Sequence, residues 1–321
     1  MKILVTGASG YVGSAVVKEL SKRGHKVMGL VRSAPKAALV EKAGATPVVG
    51  NLFDTGPWSA AIKDADVIIS ATRPVRHGEK VSVAESHRRS YNHGKMVGNL
   101  LTAAQGSRVK CLLMTYGIQG FGDRGDKWVD ETAELMPKGY ERTVSGAYWH
   151  IDKTSRRTRI PITNMFVGWP YGSDGWFGSI ARGIMRGSCR IVGAGGNYLS
   201  LIHIDDLAAA YAEVAEKTMF GNRFCIADGN PVTQRELLEF VAEQTGSEPP
   251  KEAGFEAHAK RTSELAAELW TCSTRVSGEK MKERLLPELK YPDVFGGGLA
   301  MLEELGLLAS DKDTLPEAAG F

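Results

Sequence analysis

Residues 6–13 constrain the fold more than any other segment of this 321-residue chain, because they place three glycines where a strand meets a helix. The segment follows the aliphatic run Ile3–Thr6 and reads Thr6-Gly7-Ala8-Ser9-Gly10-Tyr11-Val12-Gly13. Gly7 permits a tight turn, Gly10 lets backbone N–H groups approach a pyrophosphate, and Gly13 lets the helix pack against the strand. The helix N-terminus adds partial positive charge. The segment therefore predicts a dinucleotide-binding loop, with contacts from Gly7, Ser9, Gly10, Tyr11, Val12 and Gly13; the alternative is a glycine-rich structural turn.

The first half of the chain alternates short aliphatic runs with amphipathic segments. The runs do not alternate polar and apolar residues, which is typical of strands buried on both faces. Repeated β-α-β units predict an α/β Rossmann fold, a doubly wound parallel sheet with right-handed crossovers. The predicted strands are Ile3–Thr6, Val27–Val31, Pro47–Val49, Val67–Ser70, Cys111–Thr115 and Ile162–Val167, and the predicted helices are Tyr11–Arg23, Ala37–Ala43, Trp58–Ala65, Tyr91–Gln105 and Tyr148–Arg157.

The pattern changes after about residue 170, where glycines and aromatic residues cluster and helices become more frequent. We expect a nucleotide-binding domain over residues 1–168 and a smaller α/β substrate-binding part over residues 169–321, with some later segments free to return to the first sheet. In this second part we expect a strand at Leu199–Ile204, a helix at Asp205–Lys217 and a strand at Phe224–Ile226. The spacing Thr233-Gln-Arg-Glu236 predicts a capping box that starts a helix ending near Gln244.

Arg32 follows the second predicted strand, at the place where an NAD-selective site usually carries Asp or Glu for the ribose 2′-hydroxyl. A guanidinium binds a 2′-phosphate in bidentate fashion, whereas a carboxylate repels it. Arg32 therefore favours NADP(H) over NAD(H). The alternative is a solvated arginine on a surface loop.

Composition excludes several classes of protein. Lys and Arg total 40 against 37 Asp and Glu, a net charge of +3, whereas nucleic-acid binders typically have a domain pI above ~9 and a concentrated basic face. No apolar run approaches the ~18–20 residues of a membrane span, and the N-terminus lacks a cleavage-site pattern. None of the cysteines, Cys111, Cys189, Cys225 and Cys272, has CxxC spacing, so we expect no metal site and reduced thiols in the cytoplasm.

Several segments together resemble the extended, epimerase/dehydratase-like branch of the short-chain dehydrogenase/reductase superfamily. They are the glycine loop, Gly50-Asn51-Leu52, Ser70-Ala71-Thr72, Tyr171-Gly172 and Leu201-Ile202-His203-Ile204-Asp205-Asp206-Leu207-Ala208. The resemblance implies that Asn51 and Leu52 lie by the adenine and that Ala71 and Thr72 lie along the cofactor. It also implies a possible homodimer, formed through the predicted helices Tyr91–Gln105 and Tyr148–Arg157.

The resemblance implies a catalytic Tyr-x-x-x-Lys pair with a Ser or Thr, and here that pattern is broken. Lys153 is preceded four residues earlier by Trp149, whose indole only donates hydrogen bonds. Tyr148 stands five residues before Lys153, about 140° away around a regular helix. By resemblance Lys153 binds the nicotinamide ribose, and Thr115 and Tyr116 occupy the Ser/Thr region.

Three interpretations of the broken pattern stay open. A bulge or a late helix start brings Tyr148 into the site, which makes it the best candidate for proton transfer. Alternatively, another group, Thr115, Tyr116 or less plausibly His150, relays the proton. In the third interpretation the protein binds the dinucleotide without redox chemistry.

The substrate side lacks the basic residues that nucleotide-sugar enzymes of this branch carry. Aromatic residues instead crowd the expected cleft, and such pockets suit partly apolar ligands; they also fit an ordinary core between the two parts. Arg73 and Arg76 follow the fourth strand, where a guanidinium can bind a substrate carboxylate or phosphate. The substrate candidates are Arg73, Phe166, Trp169 and Trp176.

The sequence therefore predicts an NADP(H)-dependent oxidoreductase that transfers hydride to or from a carbonyl or alcohol on a small to medium, partly apolar substrate. The alternatives are a non-catalytic NADP(H)-binding sensor or interaction protein, and a non-redox lyase or isomerase that retains its cofactor. We expect a small-molecule substrate as the partner, with no nucleic acid and no membrane.

Overall fold

The computed structural model describes residues 1–54, 56, 58–74, 79–173 and 175–309; Arg76, a candidate anion-binding residue, lies outside them. The strands are β1 (Lys2–Thr6), β2 (Lys26–Val31), β3 (Thr46–Val49), β4 (Val67–Ser70), β5 (Cys111–Gly117), β6 (Trp128–Val129), β7 (Ile162–Val167), β8 (Trp169–Tyr171), β9 (Ile191–Val192), β10 (Tyr198–Leu199), β11 (Leu201–His203), β12 (Arg223–Ile226), β13 (Val232–Thr233), β14 (Glu252–Ala253) and β15 (Arg275–Val276). The α-helices are α1 (Tyr11–Lys22), α2 (Ala34–Lys42), α3 (Trp58–Lys63), α4 (Val83–Ala104), α5 (Tyr148–Thr158), α6 (Trp176–Met185), α7 (Ile204–Glu216), α8 (Gln234–Gln244), α9 (Phe255–Arg261), α10 (Glu264–Thr271), α11 (Glu279–Arg284) and α12 (Val294–Glu304). Three 3₁₀ turns cover Ile118–Phe121, Gly139–Thr143 and Ser145–Ala147.

A seven-stranded parallel sheet forms the centre of the molecule, in the order β12-β7-β5-β4-β1-β2-β3. The strand order reverses between β1 and β4, and such a switch point is where open α/β sheets bind ligands. Thr6 pairs with both Leu30 and Ser70, so the residues that follow β1, β2 and β4 meet at one edge. The Rossmann fold predicted from the sequence is confirmed.

Helices bury both faces of this sheet, which explains why its strands are aliphatic throughout. Every residue of β4 is buried. On one face α1 and α7 pack against each other and the sheet, and on the other α3, α4 and α5 share a second core with it. A third core joins α6, α8 and α12 in the second half of the chain.

The second half also contributes to the first sheet. β12 pairs in parallel with β7 and forms an edge of the seven-stranded sheet. α7 packs against α1 on the face of that sheet. α11 also packs against β12, and its Met281 joins the core that α1 and α7 share.

Several elements differ from the sequence-based boundaries, and two of these differences have a clear local cause. α4 begins eight residues earlier than expected, because the Ser82 hydroxyl accepts a hydrogen bond from the Glu85 amide and caps a polar first turn. The single strand expected at Leu199–Ile204 is instead two short strands. β10 pairs antiparallel with β13 and β11 pairs parallel with β8, so the chain changes partner at Ser200, whose hydroxyl bonds the Thr274 carbonyl.

Within the described ranges, no helix is both long enough and apolar enough to cross a bilayer.

Candidate cofactor and substrate site

The glycine loop forms a cradle that side chains would fill. Gly7 adopts a φ of +70°, and a Cβ there would lie 2.7 Å from the Ala71 carbonyl oxygen. A Cβ on Gly13 would lie 2.1 Å from the Gly7 carbonyl oxygen, so only glycine lets α1 approach β1 this closely. Gly10 is the N-cap of α1 and no side chain caps this end, which leaves first-turn amides available to an anion. The cradle fits a diphosphate.

Hydroxyl groups tie together the ends of the two strands that flank the switch point. Thr72 donates to the Thr6 hydroxyl at 2.9 Å, and Thr6 donates to Ser70 at 3.3 Å. The Ala71 amide donates to the Thr6 carbonyl at 3.1 Å. Ala71 and Thr72 therefore lie directly beside the glycine loop, where the resemblance expects them to follow the cofactor.

The residues predicted to contact the adenosine half of the cofactor follow β2 and β3. Arg32 is exposed immediately after β2, and within the described chain it forms no ion pair. Asn51 is also exposed and accepts a hydrogen bond from the Phe53 amide. Leu52 is buried, and its carbonyl accepts from the Asn99 side chain at 2.7 Å. All three lie at the carboxyl edge of the β1–β3 half.

Thr115 and Tyr116 point to opposite faces of β5, because neighbouring residues of a strand alternate. The Thr115 hydroxyl lies 2.6 Å from the Tyr211 hydroxyl of α7, and burial raises the pKa of Tyr211 far above its usual range. The sequence gives no signal for Tyr211, because it lies 96 residues from Thr115 along the chain.

Tyr116 is fully buried on the other face and stacks on Phe166 at 5.3 Å between ring centroids. Burial, with a further contribution from Tyr148, raises the pKa of Tyr116 well above its usual range. No hydrogen-bond partner of its hydroxyl is found among the described residues.

The broken Tyr-x-x-x-Lys segment opens α5, which begins at Tyr148 itself. The Tyr148 ring lies 5.8 Å from that of Tyr116, and both line a cavity of about 180 Å³ with Asp152 and Arg223. Trp149 is 74% exposed and Lys153 is exposed as well. α5 begins at Tyr148 as expected from the sequence, and the catalytic roles of Tyr148 and Lys153 stay predictions.

An ion pair between half-exposed Arg73 and buried Glu141, which the sequence did not suggest, lies at the ends of β4 and β5. Glu141, 1% exposed, accepts a hydrogen bond from Arg73 at 2.6 Å and another from Ser145 at 2.9 Å. It lies in the 3₁₀ turn Gly139–Thr143, which packs on α10 and α4. Arg73, a predicted substrate residue, thus has a carboxylate partner while half of its side chain stays exposed.

Three tryptophans contact one another edge to face beyond β7. Trp169 lies 5.4 Å from both Trp176 and Trp270, and the Trp176 indole donates to the Pro170 carbonyl. Each keeps some exposed surface, and Trp270, contributed by α10, was missed from the sequence. Phe166 is instead fully buried beneath Tyr116 and Phe121. Substrate contact by Trp169 and Trp176 stays a prediction.

Comparison with known proteins gives the same assignment as the geometry. A family model described as NAD(P)H-binding matches residues 7–155. The isoflavone reductase homolog IRL of Zea mays is 35% identical over 257 residues, 76% of this chain and 74% of the relative. The 2-alkyl-3-oxoalkanoate reductase of Stenotrophomonas maltophilia is 24% identical over 310 residues, 90% of this chain and 88% of the relative.

Solved structures share the fold. A double mutant of DesIV, a dTDP-glucose 4,6-dehydratase from Streptomyces venezuelae with NAD and DAU bound, has a TM-score of 0.77 at 18% identity and covers 95% of this chain and 97% of that chain. The glycine cradle at the switch point agrees with these similarities. The chain belongs to the NAD(P)-dependent short-chain dehydrogenase/reductase superfamily, and its fold agrees with the extended, epimerase/dehydratase-like branch that its sequence resembles.

Proposed function

We propose that the protein is an NADP(H)-dependent oxidoreductase that transfers hydride to or from a carbonyl or alcohol on a small to medium, partly apolar substrate. The observation that carries the cofactor preference is Arg32, exposed and without an ion pair in the described chain, at the end of β2. A 2′-phosphate there gains a guanidinium without breaking an existing contact.

The substrate class rests on the wall formed by Trp169, Trp176 and Trp270, because partly exposed indoles bind apolar groups well. The name of one relative, 2-alkyl-3-oxoalkanoate reductase, describes a substrate of this type, an oxo compound with an alkyl chain. We therefore include ketones with apolar substituents in the proposed class.

Proton transfer has two candidate routes in this fold. Bound NADPH would supply the hydride. In the first route Thr115, which is 9% exposed and hydrogen-bonded to the Tyr211 hydroxyl, would orient the substrate oxygen. Tyr148 is the second route, at the start of α5. Either hydroxyl would give its proton to the substrate oxygen as hydride reaches the carbon.

The experiment that tests the cofactor assignment is a binding titration of NADPH and NADH against wild type and Arg32→Glu. Loss of the charge-assisted hydrogen bonds should weaken NADPH by roughly 10- to 100-fold and leave NADH nearly unchanged. Arg156→Glu is the matched control, since Arg156 is an exposed arginine on α5 that pairs with Asp152. Equal NADPH affinity in Arg32→Glu and wild type would refute the assignment.

A second candidate function is NADP(H) binding without catalysis. It is favoured by Trp149, whose indole occupies the place of the usual tyrosine and is largely exposed. Incubation with NADPH and a panel of aldehydes and ketones separates the two functions, because only an oxidoreductase consumes the reduced cofactor.

We also propose a cytoplasmic homodimer. Tyr91 on α4 is 72% exposed and lines a groove with His87, Ser90, Gly94 and His150, and Trp149 on α5, next to His150 in sequence, is 74% exposed. Aromatic side chains are enriched at protein–protein interfaces. The free thiols of all four cysteines agree with a reducing compartment. Light scattering of wild type and Trp149→Glu tests the dimer: the proposal requires the wild type to be dimeric and the variant to dissociate.

A further inference from the structure

The Arg73–Glu141 pair occupies the half of the sheet opposite the adenosine residues. Arg32 and Asn51 follow β2 and β3, whereas Arg73 follows β4 and Glu141 contacts the end of β5. A doubly wound sheet binds one nucleotide with each half and the diphosphate between them. If the adenosine lies over β1–β3, the nicotinamide nucleotide lies over β4, β5 and β7, where Arg73 stands.

The fold makes room for the Glu141 carboxylate. A Cβ on Gly117, at the end of β5, would lie 2.7 Å from its Oε1 atom. A Cβ on Gly120 would lie 2.6 Å from the Ser145 hydroxyl that donates to Oε2. The Glu141 carboxylate is thus enclosed by small residues and accepts hydrogen bonds from two donors. The fold therefore holds it in a defined position, unlike an incidental surface contact.

Arg73 is held at one edge and open at the other. Its Nη2 atom donates to Glu141, and no other protein acceptor for the guanidinium is found in the described part of the chain. The side chain is 49% exposed. Its charge reaches the neighbouring His93: burial, with a smaller contribution from Arg73, lowers the pKa of that imidazole to about 4.

We propose that Arg73, positioned by the buried Glu141, is the cation that holds the nicotinamide half of the cofactor, in place of the lysine that the resemblance assigns at Lys153. The free edge of a guanidinium offers several N–H donors to the oxygens of a ribose or of the adjacent phosphate. Glu141 fixes the direction of those donors and is a positioning residue. This inference rests on the proposed NADP(H) binding.

Lys153 is the competing candidate, and its surroundings differ from those of Arg73. It lies in the second turn of α5 and is exposed, whereas Arg73 directly follows Thr72, which bonds to β1 beside the glycine loop. We therefore expect substitution of Arg73 to weaken cofactor binding and substitution of Lys153 to leave it unchanged.

The test compares NADPH with 2′,5′-ADP, which carries the adenosine half alone, by calorimetry on the full chain. Arg73→Gln should raise the Kd of NADPH by roughly 10- to 100-fold and leave that of 2′,5′-ADP unchanged. Glu141→Gln, which keeps the side-chain shape, should act in the same direction with a smaller factor. Arg32→Glu should weaken both ligands, and Lys153→Gln should weaken neither.

Arg88→Gln serves as the matched control, because Arg88 is an exposed arginine bonded to Glu85 on α4. Arg73→Lys keeps a cation beside the buried Glu141 but loses the planar guanidinium, so it keeps the test valid if Arg73→Gln or Glu141→Gln fails to fold. Unchanged NADPH affinity in Arg73→Gln, or an equal loss for 2′,5′-ADP, would overturn the inference while the proposed function stands. A wild type that binds neither ligand would overturn the proposed function itself.

Discussion

Gly13→Ala is the most revealing single perturbation of the cofactor cradle. A Cβ at this position would lie 2.1 Å from the Gly7 carbonyl oxygen and 2.7 Å from the Gly7 carbonyl carbon, whereas ordinary contacts begin at 3.4 Å. The atoms opposite are backbone, so no side chain can rotate away. The start of α1 must move by roughly 1 Å or more relative to β1.

Two effects of opposite sign compete in this substitution. Alanine in the interior of a helix is favoured over glycine by about 1 kcal/mol. Overpacking against fixed atoms costs about 1–3 kcal/mol, and more when the backbone cannot relax. Because both close contacts are with backbone atoms of Gly7, we expect the overpacking to outweigh the helix preference for alanine. The net destabilisation should be about 1–2 kcal/mol, a fall in Tm of several degrees.

The assay is thermal unfolding with and without saturating NADPH, together with a direct binding titration. Displacement of α1 also moves the amides that face the diphosphate, so NADPH affinity should fall together with Tm. Gly196→Ala is the control, because a Cβ there meets open space and the residue lies outside the left-handed region. A Gly13→Ala protein with wild-type Tm and NADPH affinity would refute the cradle geometry.

If the Tyr148 hydroxyl passes the proton, Tyr148→Phe should lower turnover by ~10²–10⁴. If the Thr115–Tyr211 pair passes it instead, Thr115→Val should cause the loss of turnover. The rate of NADPH consumption with a responsive ketone, measured for both variants, distinguishes the two routes. Asp228 is buried, and burial raises its pKa to about 7. The Asp228 carboxyl therefore stays protonated to a higher pH in the folded state than in the unfolded chain. Its contribution to the free energy of unfolding declines as pH rises from about 4 to about 7. Asp228→Asn should remove that decline and gain on the order of 2–4 kcal/mol over wild type at pH 8, as measured by urea unfolding across pH; a constant difference at all pH values would contradict it.

The parts of the fold that depend on neighbouring residues in sequence were predictable. The glycine loop, the buried parallel strands and the Thr233–Glu236 capping box each carry their own local pattern, and the structure has all three. The start of α4 escaped prediction because its first turns are polar and depend on the cap at Ser82.

The candidate site was predictable only where the motif is contiguous. Glu141 meets Arg73 across 68 residues, and Tyr211 meets Thr115 across 96. Neither pair has a characteristic spacing in the sequence, because the two residues of each pair are brought together by the order of the strands in the sheet. Trp270 joins Trp169 and Trp176 for the same reason, through the packing of α10.

Calorimetric titration of the folded wild-type protein with NADPH and NADH tests the central claim most directly. We predict uptake of about one NADPH per chain, with NADH bound more weakly because it lacks the phosphate that Arg32 would meet. Absence of binding by both nucleotides would contradict the assignment of the glycine cradle, and tighter binding of NADH would contradict the role given to Arg32.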